Sequence, residues 1–346
     1  MDRRILVTGG AGFIAGNLVH HWVKTYPNDK IVVIDSLTYA SNIQTIKSLI
    51  DNKTIDFFKG DINDSALLEK LFDEYNINHV AHLAAESHVD RSISGPEVFL
   101  KSNVHGTYKL LESFYNHWKR NKYPKDFRFL HVSTDEVFGS LSENDIPFNE
   151  NTSYDPRSPY SATKAASDHL ANAWFHTYDL PVLISNCSNN YGPYHYPEKL
   201  IPLTLTKIIK GETIPVYGDG KNIRDWLYVE DHCAALECIL LKGKPGRSYC
   251  IGGNNELKNI DLVHTLCSLM DELSPEYNYK LPVIPSHELI KFVKDRPGHD
   301  ERYAIDPSRV MKELNWRPKV DIMTGLRKTI HWYLQNRSWW EPLIKD

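Results

Sequence analysis

The sequence predicts an α/β protein, a doubly wound parallel sheet joined to a smaller mixed C-terminal lobe. Three observations predict it. Through the first half of the 346 residues, short apolar runs alternate with longer amphipathic stretches, the pattern of right-handed βαβ units whose sheet is covered on both faces. The first apolar run passes through a glycine-rich turn straight into an amphipathic segment. Beyond about residue 186 the texture changes to pieces rich in Asn, Tyr, Pro and Gly, too broken for core strands.

Strands are expected at 3–8 (RRILVT), 30–35 (KIVVID), 54–60 (TIDFFKG), 79–85 (HVAHLAA) and 127–133 (FRFLHVS), with helices at 13–25, 41–50, 64–75 and 97–119 between them. Ser158 and Pro159 read as the cap and first residue of a helix reaching about Tyr178, and the buried strand PVLISN follows at 181–186. The stretch NCSNNYGPYHYPEKLIP then leaves that strand as a polar loop, where an α/β sheet builds its ligand site. Helical patterns return at 229–241, 260–273, 307–314 and 322–336. The expected division is a dinucleotide-binding domain at 1–186 with a returning segment at about 225–255, and a lobe formed by 187–224 and 256–346.

Composition narrows the function. Apolar residues make up 41% and charged residues 24%, ordinary globular values that exclude a disordered or fibrous chain. Forty Lys and Arg against forty-four Asp and Glu give a formal net charge of −4, with no broad basic field for nucleic acid. The five cysteines form no C-x-x-C pair, so neither a metal site nor a disulfide framework is expected. No apolar run approaches the ~18 residues of a membrane span. The N-terminal MDRRILVTGG lacks the apolar core of a signal peptide, and the expected location is the cytoplasm.

TGGAGFIAG follows the first strand and opens the first helix, setting Gly9, Gly12 and Ala15 at the spacing G-x-x-G-x-x-A. Small residues let the backbone turn tightly and approach a pyrophosphate seated on the helix N-terminus. The second strand ends in Asp35, whose carboxylate suits the two hydroxyls of an adenosine ribose and repels a 2′-phosphate. No Arg follows in DSLTYAS, so NAD is expected rather than NADP, on a Rossmann-type fold. A P-loop is excluded by the missing G-K-[ST].

SPYSATKAASDHL places Tyr160 and Lys164 four residues apart, on one face of their helix. A Tyr works as a base near neutral pH only if its phenolate is favoured, which a neighbouring ammonium and a cationic nicotinamide would do. Downstream of a dinucleotide fingerprint, this pair points to oxidation of an alcohol. STDEVFG adds two adjacent carboxylates, Asp135 and Glu136, at a strand end. Neighbouring strand side chains point to opposite faces, so both reach one site only if the strand stops at about Ser133 or Thr134. Two readings stand: an acid and a base for eliminating water, or a pair capping the following turn.

With VTGGAGFI, LAAESHVDRSI, STDEVFG, SPYSATKAASDHL, NCSNNYGPYHYPEKLIP, RDWLYVEDH and DRPGHDERYAID, the chain resembles the nucleotide-sugar 4,6-dehydratases over nearly its whole length. These are extended short-chain dehydrogenase/reductase-type enzymes. The resemblance implies that Thr134 bonds the sugar, Asp135 is the acid at C6, Glu136 the base at C5, and Tyr160 and Lys164 run the C4 oxidation. For NAD it implies contacts with Gly9, Gly12, Phe13, Ile14, Asp35, Ser36, Leu37, Thr38, Asp61, Ile62, Leu83, Ala84, Ala85, Ser87, Ser102, Tyr160, Lys164 and Asn190. For the sugar nucleotide it implies Ser87, Thr134, Asn189, Lys199, Leu200, Pro215, Val216, Tyr217, Arg224, Asn259, Asp295, Arg296, Pro297, Gly298 and His299. Ala15 and Phe138 depart from the family pattern, which more usually has Gly and Tyr.

The implied reaction is dehydration of dTDP-glucose to the 4-keto-6-deoxy sugar, with the cofactor recycled. UDP-glucose is the alternative substrate, and 4-epimerisation or a non-catalytic NAD-binding regulator are the competing functions. The resemblance also implies a homodimer joined through helices, for which 97–119 and 159–178 are the candidates; the second is rich in Ala.

Overall fold

The computed structural model describes residues 3–344; residues 1, 2, 345 and 346, which the predicted division includes, lie outside the described residues. Its strands are β1 (Arg4–Thr8), β2 (Lys30–Asp35), β3 (Asp56–Lys59), β4 (His79–His82), β5 (Arg128–Thr134), β6 (Val182–Cys187), β7 (Asn189–Tyr191), β8 (Ile214–Tyr217), β9 (Ile223–Tyr228), β10 (Ser248–Ile251), β11 (Glu256–Lys258) and β12 (Ile290–Val293). The helices that matter for the site are α1 (Phe13–Thr25), α2 (Lys47–Asp51), α3 (Ser65–Tyr75), α4 (Val89–Ser94), α5 (Pro96–Phe99), α6 (Thr107–Arg120), α7 (Pro159–Tyr178), α8 (Leu200–Lys210), α9 (Val229–Lys242), α10 (Asn259–Leu273), α11 (Ser308–Leu314) and α12 (Ile322–Gln335).

Seven strands form one parallel sheet in the order β10-β6-β5-β4-β1-β2-β3. The side-chain period of two sorts its residues. Ile5, Val7, Ile31 and Val33 pack on one face against α1, α9 and α11, through Leu18, Trp22, Leu236 and Val310. Leu6, Val32, Ile34 and Phe129 pack on the other face against α3 and α6, through Phe72, Leu110 and Phe114. Each fully buried Leu, Ile or Phe contributes about 1.5–3 kcal/mol, which is why both faces of the strands are apolar.

Past β6 the chain leaves this sheet. β7, β9 and β11 form a three-stranded sheet in the order β11-β9-β7, and β8 pairs with β12. A second core, with Tyr191, Leu205, Trp226, Leu266 and Ile330, binds α8, α10 and α12 to these strands. The chain returns to the large sheet through α9, packed beside α1, and β10, paired with β6.

Three local expectations change. The helix expected at 41–50 is a 3-10 turn at Ile43–Thr45 followed by the five-residue α2. Asn42 caps the turn through Gln44 N, and the fully buried Ile46, at φ −118° and ψ 7°, breaks the helical path between them. The helix expected at 97–119 runs from α5 to α6 through a π-helical stretch at Leu100–Gly106. The polar loop after β6 contains β7 and leads into α8. In that helix Pro202 is the third residue, within the first turn, where a missing N–H breaks no intrahelical bond.

Candidate active site

The C-terminal ends of β1, β2, β4, β5 and β6 open into one cavity of about 660 Å³, walled on its far side by the lobe. On the cofactor side, Gly9 has φ +73°, and a Cβ there would stand 2.9 Å from the Ala84 backbone, so glycine is required at this turn. Gly12 precedes α1 with no side-chain cap and no acid in the first turn, leaving the N–H groups at Phe13 and Ile14 open to an anion. Asp35 is buried at the end of β2; its two carboxylate oxygens accept Ala11 N at 3.0 Å and Leu37 N at 2.7 Å, fixing the glycine turn against the strand. Thr8 Oγ1 accepts Leu83 N and Ala84 N at 3.1 Å each, holding the end of β4 beside it.

Phe13, Ile14, Ser36, Thr38, Asp61, Ile62, Leu83, Ala84, Ala85, Ser87, Ser102 and Asn190 all face this cavity with Gly9, Gly12 and Asp35. Leu37 does not. At φ +55° its side chain turns away to pack on the core beside α1, and only its N–H serves the site, through Asp35.

β5 stops at Thr134, and Asp135–Phe138 form a 3-10 turn. This satisfies the geometric condition for two adjacent carboxyls to face one site, and both line the cavity. Thr134 Oγ1 accepts Glu136 N at 3.2 Å and donates to Asp135 Oδ1 at 3.3 Å. Asp135 is only 2% exposed and its Oδ2 has no partner. Burial, then the charges of Glu136 and Asp225, push its carboxyl well above the usual aspartate range. Burial also raises Glu136, while Arg296, Lys199 and Arg224 oppose the rise.

Tyr160 and Lys164 enter from α7, whose start is fixed by a capping box between Ser158 and Ser161 with Pro159 at the first position. Thr134 lies close enough to Tyr160 to favour its ionised form slightly. The two residues share a helix face as expected, but the ammonium is not what dominates the phenol. Burial and then the charge of Glu136 hold Tyr160 well above its ordinary value, and Lys164 Nζ donates to Val132 O at 2.8 Å. In the ligand-free chain Tyr160 is therefore a phenol.

On the lobe side, Asn189, Lys199, Leu200, Pro215, Val216, Tyr217, Arg224, Asn259, Arg296 and His299 complete the wall. Arg224 is buried, donating to Ile223 O at 2.7 Å and Asp300 O at 2.9 Å, with its guanidinium 4.2 Å from the Tyr303 ring centroid. Lys199 Nζ reaches Ser87 O at 3.0 Å. Three expected residues stand outside the wall. Asp295 sits behind His299, accepting from its Nδ1 at 2.6 Å, and orients that ring. Pro297 and Gly298 form the turn between Arg296 and His299; Gly298, at φ +64°, faces Arg157 O and leaves the two basic residues pointing inward.

The wall also contains residues that the sequence reading did not select: Tyr39, Glu86, His88, Asp90, His195, Glu198, Trp226 and Tyr303. Glu86, His88 and Asp90 lie inside LAAESHVDRSI, so that stretch carried a signal. Tyr39 and Glu198 meet only in space, with the Tyr39 hydroxyl donating to Glu198 Oε1 at 3.1 Å. Among the described residues no group of three or more His, Cys, Asp or Glu is placed to hold a metal ion. No helix among them is long and apolar enough to cross a membrane.

A polar ligand fits this cavity. Asp135 Oδ2, Asn189 Oδ1, Asn190 Oδ1 and Asn259 Oδ1, all on residues of the wall, are buried without a hydrogen-bond partner and can accept from a ligand's hydroxyl or amide groups. A glycine turn, an acid at the next strand end and a Tyr–Lys pair make this a short-chain dehydrogenase-type site, and the adjacent carboxyls of Asp135 and Glu136 share its cavity.

Comparison with known proteins narrows the class. Residues 6–329 match the family model described as GDP-mannose 4,6 dehydratase. A dTDP-glucose 4,6-dehydratase of Xanthomonas campestris is 52% identical over 341 residues, 98% of this chain and 95% of that protein. A probable dTDP-glucose 4,6-dehydratase of Sinorhizobium fredii is 51% identical over 342 residues, again 98% and 95% of the two chains. The crystal structure of a dTDP-glucose 4,6-dehydratase from Streptomyces venezuelae, solved with NAD bound, superposes with a TM-score of 0.87 at 41% identity, covering 99% of this chain and 100% of that one. The chain belongs to the dTDP-glucose 4,6-dehydratase family.

Proposed function

We propose that the protein dehydrates dTDP-glucose to dTDP-4-keto-6-deoxyglucose, with NAD held by the glycine turn, Asp35 and the wall between β4 and α5. The observation that carries this reading is the 3-10 turn at the end of β5, which brings Asp135 and Glu136 into the same cavity as Tyr160 and Lys164. NAD, when bound, supplies the acceptor for hydride from C4, its donor to C6, and a positive charge that favours the Tyr160 phenolate.

The chain supplies the proton transfers. Tyr160 takes the proton of the C4 hydroxyl, whose oxygen Thr134 steadies. The resulting ketone acidifies C5–H, which Glu136 removes as a carboxylate while Lys199, Arg224 and Arg296 favour its ionised form. Asp135, kept protonated by burial, donates to the departing C6 hydroxyl, and Glu136 returns its proton to C5 once C6 is reduced. Arg224, Arg296 and Lys199 offer positive charge to the diphosphate.

Incubation with dTDP-glucose should yield a product lighter by one water, and an unchanged mass would refute the reaction. Glu136→Gln should stall after C4 oxidation with reduced-cofactor absorbance accumulating; full turnover in that variant would remove Glu136 as the base. Kinetics with dTDP-glucose and UDP-glucose side by side test the nucleotide, and a preference for UDP-glucose would overturn that part. The C-terminal lobe acts here as the sugar-nucleotide half of the site and residues 1–186 as the cofactor half.

The homodimer reading, through α5–α6 and α7, is supported by Leu100 and Tyr178, which are 55% and 43% exposed on the first and the second of these helices. Light scattering at micromolar concentration should give twice the chain mass, and a monomer would refute it. The cytoplasm is the compartment that fits five free cysteines, four of them buried.

A further inference from the structure

Directly behind the cavity wall lies a charged carboxylate that the mechanism above does not use. Asp168 follows Lys164 by four residues and Tyr160 by eight, so the three share one face of α7. Its side chain is 0% exposed and contributes nothing to the wall. Donors from three separate segments converge on it. Ser133 Oγ at 2.9 Å, Tyr154 OH at 2.8 Å and Asn186 Nδ2 at 3.3 Å reach Oδ2, and His131 Nε2 meets Oδ1 at 3.0 Å. Asn186 Nδ2 also donates to Thr134 O at 3.1 Å. Each of the two strands so tied leads into the site: β5 into the acid turn, β6 into Asn189 and Asn190.

Lys164, one helical turn away, makes no direct ion pair with Asp168, its Nζ bonding Val132 O instead, yet the two charges act on each other. Lys164 is 4% exposed, and an ammonium so buried loses its proton unless a negative charge stands near. Burial lowers Lys164, and the largest influence opposing that is Asp168. Burial alone would raise Asp168, but His131, Lys164 and Ser133 outweigh it and hold the carboxyl below the usual range. His131 itself is lowered by burial and then by the Lys164 charge, so it faces Asp168 as a neutral ring. The remaining titratable groups around the Tyr160–Lys164 pair are Glu136, Asp135, Cys187 and His82, the last lowered by burial and then by His131 and Lys164, and Tyr154 faces Asp168 with its hydroxyl kept protonated by burial.

We propose that Asp168 is a positioning residue for the oxidation step: its fixed negative charge is the counter-ion of the Lys164 ammonium, and its hydrogen bonds hold the Thr134–Asp135–Glu136 turn in register with Tyr160. The proposal rests on the reading of Tyr160 and Lys164 as the C4-oxidising pair.

Asp168→Asn keeps the size of the side chain and removes its charge. In NAD-loaded enzyme without sugar nucleotide, the Tyr160 phenolate is read as the ultraviolet difference between each enzyme and its Tyr160→Phe counterpart across pH. The midpoint should move up by about one pH unit or more in Asp168→Asn, a tenfold loss of phenolate at a given lower pH, and Asp168→Glu should recover most of it. In turnover, kcat near neutral pH should fall about tenfold with KM changed less than about twofold, and the deficit should close as pH rises. Coincident Tyr160 midpoints in wild type and Asp168→Asn would overturn the proposal.

Should Asp168→Asn fail to fold, Ser133→Ala combined with Tyr154→Phe strips two donors and leaves the charge. The low-pH limb of kcat should then move to higher pH, because a less well bonded Asp168 takes up its proton earlier; an unmoved limb overturns the proposal. The absorbance readout needs no sugar nucleotide. An enzyme that leaves dTDP-glucose unchanged while Tyr160 shifts as expected refutes the substrate and keeps the positioning role.

Discussion

Asp135 and Asp168 are both buried, at 2% and 0% exposure, and both stand where β5 meets α7. Their surroundings are opposite. Asp135 receives one hydrogen bond, from Thr134, has an oxygen without a partner, and feels the negative charges of Glu136 and Asp225. Asp168 receives hydrogen bonds from Ser133, Tyr154, Asn186 and His131, and has Lys164 nearby. Burial raises the first carboxyl, and the donors reverse that tendency for the second. Partners, more than depth, therefore decide which buried acid holds a proton to give and which holds a charge to keep.

The largest expected break in this contrast is catalytic. Asp135→Asn should lower kcat by about 10²–10⁴, the usual contribution of a positioned acid, while hydrogen exchange at C5 survives. Loss of C5 exchange as well would show that Asp135 and Glu136 do not divide the work. Asp168→Asn should cost about 3–5 kcal/mol of stability in urea unfolding at neutral pH, since it leaves Lys164 buried without its counter-charge. Unfolding at unchanged urea concentration would make Asp168 a bystander.

Tyr154→Phe should cost about 1–3 kcal/mol, the value of one donor to a charged buried acceptor. The smallest effect separates the two acids by sign. A lowered carboxyl such as Asp168 contributes stability present above the ordinary aspartate pKa and lost as pH falls through the folded value. A raised one such as Asp135 contributes stability that is lost as pH rises above the ordinary value. Asp135→Asn should therefore be more stable than wild type by about 1 kcal/mol or more at neutral pH, with the gain shrinking toward pH 4. Melting curves across pH that run parallel for the two proteins would contradict it.

Regular segments were legible because their signals are local. α1 and β2 match their expected limits, and α7 begins at the residue that Ser158 and Pro159 announce. The stop of β5 at Thr134 was legible only as a condition, since nothing in STDEVFG separates a strand end from one more strand residue. α8 was hidden because its Ile and Thr residues favour strands and its Pro202 reads as a break. Asp168 was hidden differently. It stands within the quoted SPYSATKAASDHL, yet its partners come from β5, β6 and the loop at Tyr154, and only the fold brings them together. Leu37, Asp295, Pro297 and Gly298 fall in stretches that do shape the cavity, but their side chains or backbone face elsewhere.

The late return of β10 to the large sheet has a consequence for biosynthesis. β6 is complete at Cys187, but the strand that covers its open side ends at Ile251, so 251 − 187 = 64 residues separate the two. At about 5–20 residues per second, a ribosome takes roughly 3–13 s to supply them. For that interval the nascent chain carries an apolar, unpaired edge beside β5, the kind of surface that chaperones shield and that pairs wrongly with other chains. A ribosome stalled between these points should display a nascent chain that binds chaperones, and release past residue 251 should end that binding.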